Sequence, residues 1–255
     1  MKKIIRFFLN HIPRKYLIRL SYLVRKVTAI YYKGNKYTCP VCEKSFRSFM
    51  PYGYHTIRDN ALCPNCLSLE RHRLLWLYLK NRTDFFIAPK KVLHIAPEQS
   101  FEERFRKLKK LEYYTADMES PIADYKLDVQ KMPFDDNTFD VVICNHVLEH
   151  VEDLYRAISE IIRVLKRGGY AILQVPVDFS REETFEDDSI TSTKDRERVF
   201  GQYDHLRVFG LDYPEILKKA GFVIDEKNYV DELDEETRKK YQLPEQEFMF
   251  SFKKK

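Results

Sequence analysis

The stretch MPFDDNTFDVVICNHVLEHV, residues 132–151, decides the fold class of this chain of 255 residues. Its apolar run, Val141–Cys144, follows a polar, turn-rich segment and ends at Asn145 and His146, after which helical spacing begins. This pattern predicts a buried strand with polar side chains at its carboxyl end. Open α/β sheets bind ligands at that end of their strands, so we expect a binding site there.

Apolar runs alternate with helical patterns from residue 91 onwards. The alternation predicts a doubly wound α/β fold with a parallel sheet. A polar, irregular stretch at residues 178–203 predicts a lid beside the strand ends. The predicted strands are Val92–Ala96, Glu112–Ala116, Tyr125–Val129, Val141–Cys144, Tyr170–Val175, Phe222–Asp225 and Glu247–Phe252.

Charge is distributed unevenly along the chain. Residues 1–83 hold 17 Lys and Arg against 3 Asp and Glu, whereas residues 84–255 hold 27 against 36. The basic part is therefore the one that we expect to meet a polyanion or an anionic membrane surface. The acidic remainder argues against a broad nucleic-acid channel running through it.

Residues 1–38 contain ten Lys and Arg and no Asp or Glu, and their pattern predicts two basic amphipathic helices. Their apolar faces have two interpretations: they cap the next domain, or they anchor the chain to a membrane surface. Contact between the basic residues and RNA is a third. The two faces consist of Ile4, Ile5, Phe8, Leu9 and Ile12, and of Leu17, Leu20, Val24 and Val27.

No signal peptide is evident, and no apolar stretch approaches the roughly 20 residues that span a bilayer. We therefore expect a cytoplasmic protein in a reducing compartment. Peripheral contact with the inner face of the membrane, through residues 1–32, is part of this expectation.

Four of the five cysteines form two CxxC pairs, CPVC at residues 39–42 and CPNC at residues 63–66. Their spacing predicts a zinc site whose ligands are Cys39, Cys42, Cys63 and Cys66. Because four sulfurs close the coordination sphere, we expect this zinc to be structural.

A helix is predicted over residues 67–83, directly after the second cysteine pair. We interpret its basic cluster, residues 71–73, as a solvated helix face, with contact to an anionic substrate as the alternative. His72 in this cluster is interpreted as a surface histidine rather than as a zinc ligand.

The run from Met132-Pro133-Phe134 to Asn145-His146 resembles class I S-adenosylmethionine (SAM)-dependent methyltransferases, and the likeness extends over about residues 91–252. It implies a Rossmann-like methyltransferase domain at residues 84–255. A zinc-ribbon-like module with its connecting helix would precede it at residues 39–83, after a basic helical segment at residues 1–38.

The resemblance also implies which residues bind SAM. Asp117, at the end of the second strand, would accept both ribose hydroxyls. Asp128 and Val129 would read the adenine edge, and Asn145 and His146 would lie against the cofactor. The full set of implied cofactor residues is Ala96, Glu98, Asp117, Asp128, Val129, Asn145 and His146.

The loop after the first strand departs from the family pattern. Members usually place an acidic residue and two or three glycines there, whereas this chain has HIAPEQSF and no glycine between Gly53 and Gly168. Glycine permits a positive φ and a close backbone approach to a ligand, and Pro97 also lacks an amide donor. Glu98, the acidic residue in this loop, is therefore the candidate for binding the ammonium group of SAM.

Methyl transfer from a sulfonium is an in-line displacement, in which the protein supplies alignment and, for an oxygen acceptor, a base. We predict that His205 is this base, that Asp204 orients it and that Arg207 holds an anionic group of the acceptor. His146 and His150 are the other candidates, which we expect to line the cofactor and to join loops, respectively.

Three functions compete. The first is a SAM-dependent methyltransferase that acts, at oxygen, on a small-molecule, saccharide or lipid-linked acceptor. The second is a ribosomal RNA base methyltransferase whose zinc module binds RNA, although residues 84–255 lack basic or aromatic stacking runs. The third is a non-enzymatic zinc-ribbon adaptor, which the missing glycines support. The acidic catalytic part favours the first.

Overall fold

The structure, a computed structural model, describes residues 14–53, 56–121, 123–226 and 228–254. The first predicted amphipathic helix therefore lies outside the described residues. In chain order the helices are α1 (Arg14–Tyr31), α2 (Glu70–Arg82), α3 (Gln99–Phe105), α4 (Leu154–Val164), α5 (Thr193–Phe200), α6 (Tyr213–Lys219) and α7 (Glu235–Tyr241). The strands are β1 (Lys33–Cys39), β2 (Lys44–Phe46), β3 (Met50–Tyr52), β4 (Arg58–Leu62), β5 (Lys90–Ile95), β6 (Leu111–Asp117), β7 (Tyr125–Lys126), β8 (Phe139–Cys144), β9 (Leu165–Ile172), β10 (Phe185–Glu186), β11 (Arg207–Val208), β12 (Phe222–Glu226) and β13 (Ser251–Lys254).

Seven strands form one sheet in the order β12-β13-β9-β8-β5-β6-β7. Strand β13 runs antiparallel to both of its neighbours, whereas the other neighbouring strands are parallel. The doubly wound α/β fold is confirmed, but the expectation of a wholly parallel sheet is wrong. A parallel partner for β12 would need a helix that crosses over the sheet. The helix between the two strands, α7, contacts β1 instead.

Alternate residues of β8 pack into two cores, one on each face of the sheet. Val142 and Cys144 belong to a core that includes α4 and α6, whereas Val141 and Ile143 belong to a core that includes α2 and α3. All four side chains are fully buried. A strand that is buried on both faces reads as a continuous apolar run, which is the pattern seen in the sequence.

The core on the α2 side continues into the region that carries the four paired cysteines, which we call the cysteine module (residues 33–69). This core contains Cys39, Phe46 and Cys63 of the module together with Val92 and Ile143 of the sheet. The module and the sheet therefore share apolar packing across the predicted boundary at residue 83. The domain limits drawn from the sequence stay a prediction.

Arg73 on α2 is fully buried and joins distant segments of the chain. Its guanidinium donates to the carbonyl oxygens of Ala61 and Ser68 in the cysteine module at 2.9 Å each. It also donates to the carbonyl oxygens of Tyr241 and Gln242 at the end of α7. Since an unpartnered buried charge is strongly unfavourable, these four acceptors are what stabilise Arg73 in this position.

The solvated helix face predicted for residues 71–73 is wrong, because α2 is packed between the cysteine module and the sheet. Arg73 is fully buried and His72 is only 7% exposed. Nδ1 of His72 accepts the backbone N–H of Leu69 at 3.2 Å, and its Nε2 lies 3.8 Å from Glu98. Burial lowers the pKa of His72 to about 3, so the imidazole is neutral and this contact is not an ion pair.

Helix α1 docks through polar side chains. Arg25 pairs with Glu103 on α3 at 2.9 Å, and Oγ1 of Thr28 donates to the carbonyl oxygen of Pro64 at 2.7 Å. Capping of the next domain by the apolar face of α1 is therefore wrong, since that face stays exposed. Its exposed residues are Leu20, Leu23, Val24, Val27 and Ile30. None of the described helices combines the length and the apolar character that a bilayer span requires.

We expect Arg73→Met to lower the free energy of unfolding by at least about 3 kcal/mol, because buried carbonyl oxygens lose their donor while the side-chain volume is kept. Urea denaturation followed by circular dichroism measures this change. Lys80→Met, at an exposed position of the same helix, is the matched control and should change stability by less than about 0.5 kcal/mol. Equal effects of the two substitutions would contradict the role given to Arg73.

Candidate cofactor and acceptor site

The carboxyl ends of β5, β6 and β8 bring the predicted cofactor residues to one edge of the sheet. Ile95, the last residue of β5, pairs with Ala116 of β6 and with Cys144 of β8. The strand order reverses here, because β5 lies between β6 and β8. Open α/β sheets bind their ligands at such a switch point. The residues that follow these three positions are Ala96, Asp117 and Asn145.

Two turns at this edge use left-handed backbone at residues other than glycine. Ala96 after β5 has a φ of 50°, and His146 after β8 has a φ of 53°. Such a conformation costs roughly 1–2 kcal/mol per residue, and strained backbone clusters at functional sites. Ala96 also donates its N–H to the carbonyl oxygen of Ala116 at 2.7 Å. The turn that glycine would favour is thus made without glycine.

Glu98, the candidate for gripping the ammonium group, is held between two strands. Its Oε2 lies 2.7 Å from Nε2 of His94 on β5, and its Oε1 accepts a hydrogen bond of 3.0 Å from Asn145. Burial by itself would raise its pKa, but His94 and Asn145 more than offset this and hold the pKa of Glu98 below its ordinary value. A carboxylate oxygen accepts more than one hydrogen bond, so the ammonium contact stays a prediction.

Asp117 keeps one carboxylate oxygen available to a ligand. Its Oδ1 accepts the backbone N–H groups of Glu119 and Ser120, each at 2.7 Å. Its Oδ2 has no hydrogen-bond partner among the described residues. These contacts fix the carboxylate at the end of β6 with one oxygen free, as the contact with ribose requires.

Asp128 and Val129 lie in the next loop. Oδ1 of Asp128 accepts the backbone N–H of Gln130 at 2.8 Å, and Val129 is 5% exposed. Their contact with the adenine edge stays a prediction.

Asn145 and His146 directly follow β8, and each has an acceptor atom that lacks a partner among the described residues. Nδ1 of His146 lies 3.3 Å from Oε1 of Glu149, and a carboxylate only accepts, so the imidazole carries its proton on Nδ1. Nε2 of His146 and Oδ1 of Asn145 are buried without a hydrogen bond to the described chain. Because buried polar atoms are normally paired, these two atoms indicate that a ligand binds at this strand end.

A cleft of about 1200 Å³ lies between the cysteine module and the sheet, and we call it the module–sheet cleft. One wall comes from β4 and the start of α2. The other comes from the segment after β9, from α7 and from residues 242–250. His146 also lines the cleft, so the cleft meets the cofactor edge at the end of β8.

The cleft contains ionisable residues, of which sequence reasoning singled out Arg71, in its basic cluster, and missed Arg238 and Glu247. Nε of Arg71 and Nε of Arg238 are buried without a partner among the described residues, whereas Arg58 pairs with Glu70 at 2.9 Å. Burial raises the pKa of Glu247, although His146 and Arg71 nearby oppose the shift. Arg238 and Glu247 belong to no motif and are far along the chain from Asn145 and His146, so only the fold shows that they line the cleft beside the cofactor edge.

The predicted catalytic histidine, His205, packs against His150, with ring centroids 4.8 Å apart. It is not among the described residues that line the module–sheet cleft. Nδ1 of His205 lies 3.2 Å from the carbonyl oxygen of Phe200, whereas the carboxylate of Asp204 lies 3.5 Å from Nδ1 of His150. Asp204 therefore orients His150 rather than its sequence neighbour, which corrects the prediction.

Arg207 supports the loop after β8. It is 2% exposed, and it donates to the carbonyl oxygens of Leu148 and Val151 at 2.6 and 2.7 Å. It also pairs with Glu186. With these partners the guanidinium holds backbone in place, and the predicted contact with an anionic acceptor is wrong for this residue.

The two CxxC pairs come together in the cysteine module. The sulfurs of Cys39 and Cys66 lie 3.6 Å apart, those of Cys42 and Cys63 lie 3.7 Å apart, and all four fall within 4.8 Å of one another. Tetrahedral coordination with Zn–S bonds of about 2.3 Å places sulfurs roughly 3.8 Å apart. The cluster therefore fits a zinc ion, and His72 is not needed as a ligand.

Comparison with known proteins concerns the part of the sheet formed by β5 to β9. Residues 88–173 match the family model described as a methyltransferase domain. These residues form a class I methyltransferase domain.

An uncharacterized protein of Methanocaldococcus jannaschii is 47% identical over 62 residues, which cover 24% of this chain and 27% of that protein. A 2-phytyl-1,4-naphtoquinone methyltransferase of Nostoc punctiforme is 42% identical over 60 residues, which cover 24% of this chain and 25% of the relative. The chain thus spans about a quarter of the length of these curated relatives. The crystal structure of an S-adenosylmethionine-dependent methyltransferase of Mesorhizobium loti matches 71% of this chain and 98% of its own, at 12% identity and a TM-score of 0.49.

The methyltransferase domain presents groups that fit SAM. Glu98 would supply a carboxylate for the ammonium group, and Oδ2 of Asp117, which has no hydrogen-bond partner among the described residues, would accept the ribose hydroxyls. The unpartnered acceptors on Asn145 and His146 lie on the neighbouring strand end.

We expect Asp117→Ala to weaken the binding of S-adenosylhomocysteine by about 10- to 100-fold, because hydrogen bonds to a charged group contribute about 1.5–3 kcal/mol. Titration calorimetry measures the affinity. Glu119→Ala, at the exposed neighbour, is the control and should bind as the unaltered protein does. An unchanged affinity in Asp117→Ala would remove this residue from the cofactor site.

Proposed function

We propose that this chain is a SAM-dependent methyltransferase that acts on a small molecule bound in the module–sheet cleft. One observation carries the proposal: His146 follows β8 at the cofactor edge and also lines the cleft. A molecule in the cleft therefore reaches the strand end against which the methyl donor is expected. SAM supplies the methyl group on a sulfonium, and the residues of the chain supply binding and alignment.

The walls of the cleft favour a small molecule over a nucleic acid. Arg58 and Lys239 are paired with Glu70 and Glu235, so two of the basic side chains in the lining are already neutralised. Nucleic-acid grooves need free cations along the backbone and aromatic side chains for stacking. The excess of Asp and Glu in residues 84–255 supports the same conclusion.

Arg71 and Arg238 indicate the kind of acceptor. Both line the cleft, and Nε of each is buried without a partner among the described residues. A guanidinium only donates, so an oxygen-rich or anionic group on the acceptor satisfies these atoms. The proposed acceptor is therefore a small molecule that carries both a hydroxyl and such a group.

His146 and Glu247 are the side chains that can remove the proton of the acceptor hydroxyl. Glu149 holds Nδ1–H of His146, which leaves Nε2 as the basic nitrogen. Burial raises the pKa of Glu247, which makes its carboxylate a stronger base. The resulting oxygen would attack the methyl carbon in line as the bond between that carbon and the sulfonium sulfur breaks, which would release S-adenosylhomocysteine. Oxygen is the proposed acceptor atom.

Methylation at carbon is the second candidate, because a matched relative is a 2-phytyl-1,4-naphtoquinone methyltransferase. Removing the proton of a ring hydroxyl also makes the adjacent ring carbon nucleophilic, so the same base serves both reactions. The fragmentation pattern of the product in a mass spectrometer distinguishes a methyl ether, formed by methylation at oxygen, from a ring methyl group, formed by methylation at carbon.

Zinc in the four-cysteine cluster belongs to the proposed function as a structural ion. The sulfur–sulfur distances support it, and four thiolates leave no coordination position for a substrate. Its expected effect is to hold β1, β4 and α2 together along one wall of the cleft.

We expect Glu247→Gln to lower the rate of methyl transfer by about 100-fold without changing the affinity for S-adenosylhomocysteine, because only proton removal is affected. The assay follows deuterated methyl groups from labelled SAM into a small-molecule extract or into an RNA fraction. Glu236→Gln, exposed on α7, is the control and should keep the full rate. Label in the RNA fraction alone would contradict the small-molecule acceptor, and no label with intact cofactor binding would favour the adaptor.

Helix α1 supports peripheral contact with a membrane surface as a further part of the proposal. Its exposed apolar residues recur at helical spacing, and the sequence of residues 1–38 holds ten Lys and Arg and no Asp or Glu. An apolar stripe can enter the headgroup region, while each nearby cation gains about 1 kcal/mol from anionic lipid.

We expect the double substitution Leu23→Glu and Val27→Glu to weaken binding to vesicles of phosphatidylcholine and phosphatidylserine by at least about tenfold, since two apolar side chains no longer enter the lipid. Co-sedimentation measures the bound fraction. Ile87→Glu, at an exposed apolar residue away from α1, is the control and should bind as before. Equal binding by all three proteins, or preferential binding to RNA, would contradict the membrane contact.

A further inference from the structure

A second cluster of metal-ligating side chains lies directly beyond β8. Glu149, His150 and His205 each place a ligand atom within 4.8 Å of the other two. The first two come from the loop after β8, and the third comes from the segment between α5 and β11. The cluster is separate from the four cysteines, and in the proposed methyl transfer only Glu149 has a role, through its contact with His146.

Both histidines of this cluster are oriented by acceptors on their Nδ1 side. Nδ1 of His150 lies 3.2 Å from the carbonyl oxygen of Asp204, and Nδ1 of His205 lies 3.2 Å from the carbonyl oxygen of Phe200. A carbonyl oxygen only accepts, so each imidazole carries its proton on Nδ1 and leaves Nε2 as a bare lone pair. Metal-binding histidines are held in this way by a second partner.

Glu149 adds a carboxylate oxygen that nothing in the described chain satisfies. The residue is 1% exposed; its Oε1 faces His146, while its Oε2 is buried without a hydrogen bond. Leaving a buried carboxylate oxygen unpaired is unfavourable, and the two neighbouring imidazoles offer lone pairs rather than donors. Three acceptors thus meet without a donor between them, and a cation is what such an arrangement binds.

The backbone around the cluster is held in position before any ion binds. The N–H of Leu206 donates to the carbonyl oxygen of Glu149 at 2.9 Å, which joins the two ligand-bearing segments. Arg207, the next residue, bonds the carbonyl oxygens of Leu148 and Val151. Rigid segments of this kind fix the geometry that a metal site requires.

We propose that Glu149, His150 and His205 bind a Zn²⁺ ion. Two imidazole nitrogens and one carboxylate oxygen form a ligand set that zinc adopts, and nitrogen ligands disfavour Mg²⁺ and Ca²⁺. Three protein ligands leave a coordination position open for water or for an oxygen of a bound molecule. The ion also clamps the loop after β8 onto the segment before β11, beside the His146–Glu149 pair. His205 acts as a ligand in this site, in place of the predicted general base.

Metal content and Co²⁺ titration of the full chain test this site without any assay of activity. After dialysis against Zn²⁺, we expect two zinc ions per chain, one in the cysteine module and one here. In a separate sample that keeps zinc only in the cysteine module, added Co²⁺ should enter this site with weak visible bands and without the intense sulfur-to-cobalt bands of a cysteine site. An excess of Mg²⁺ should not displace the Co²⁺.

Glu149→Gln keeps the shape of the side chain and removes its charge, so we expect it to weaken Co²⁺ binding by more than about 100-fold. Asp204→Asn keeps all three ligands and alters only the surroundings of His150, and a smaller loss of about tenfold is expected. Glu152→Gln, at an exposed carboxylate of the same loop, is the matched control and should bind as the unaltered protein does. Circular dichroism verifies that each variant is folded.

One zinc ion per chain and no Co²⁺ uptake by the unaltered protein would overturn the proposal. The two histidines would then form an edge-to-face pair without an ion. Uptake that survives Glu149→Gln would overturn it as well, because the ion would lie elsewhere.

Discussion

The buried guanidinium of Arg73 is the contact on which the arrangement of the chain depends. It donates to carbonyl oxygens of the cysteine module and of the segment after α7, and it lies on the helix that packs against the sheet. These carbonyl groups belong to segments that are far apart in the chain, and a single guanidinium donates to all four. The two walls of the module–sheet cleft are therefore joined by one side chain, and the cleft exists because these parts are held at a defined separation.

Two buried carboxylates organise the strand ends in a similar way. Glu98 connects β5 with the end of β8 through His94 and Asn145, and Glu149 holds His146 at the same edge. Both lie where the parallel strands deliver them, after β5 and β8. The left-handed turns at Ala96 and His146 add strained backbone at this edge, and the neighbouring contacts hold that strain in place. A glycine-poor loop can therefore still form a cofactor edge.

The features predicted correctly are those that depend on short stretches of sequence. The burial of β8 on both faces was predicted from its continuous apolar run. The cluster that the two CxxC pairs form was predicted from their spacing alone. Predictions that needed distant partners were less successful. Arg73 was interpreted as solvated, although its partners Tyr241 and Gln242 lie 168 and 169 residues further along the chain. Arg207 was assigned to an acceptor, although it bonds the loop after β8.

By itself, the sequence determined the doubly wound sheet, the polar residues at its strand ends, the four-cysteine cluster and the methyltransferase resemblance. The first three follow from periodicity or spacing within a few tens of residues, whereas the fourth is a likeness to a known family over the run from Met132 to His146. Only the tertiary structure decided which charged residues are buried, where the cleft lies, and that Glu149, His150 and His205 meet. These outcomes depend on contacts between segments that are far apart in the chain. A local sequence pattern does not predict which distant segments pack together.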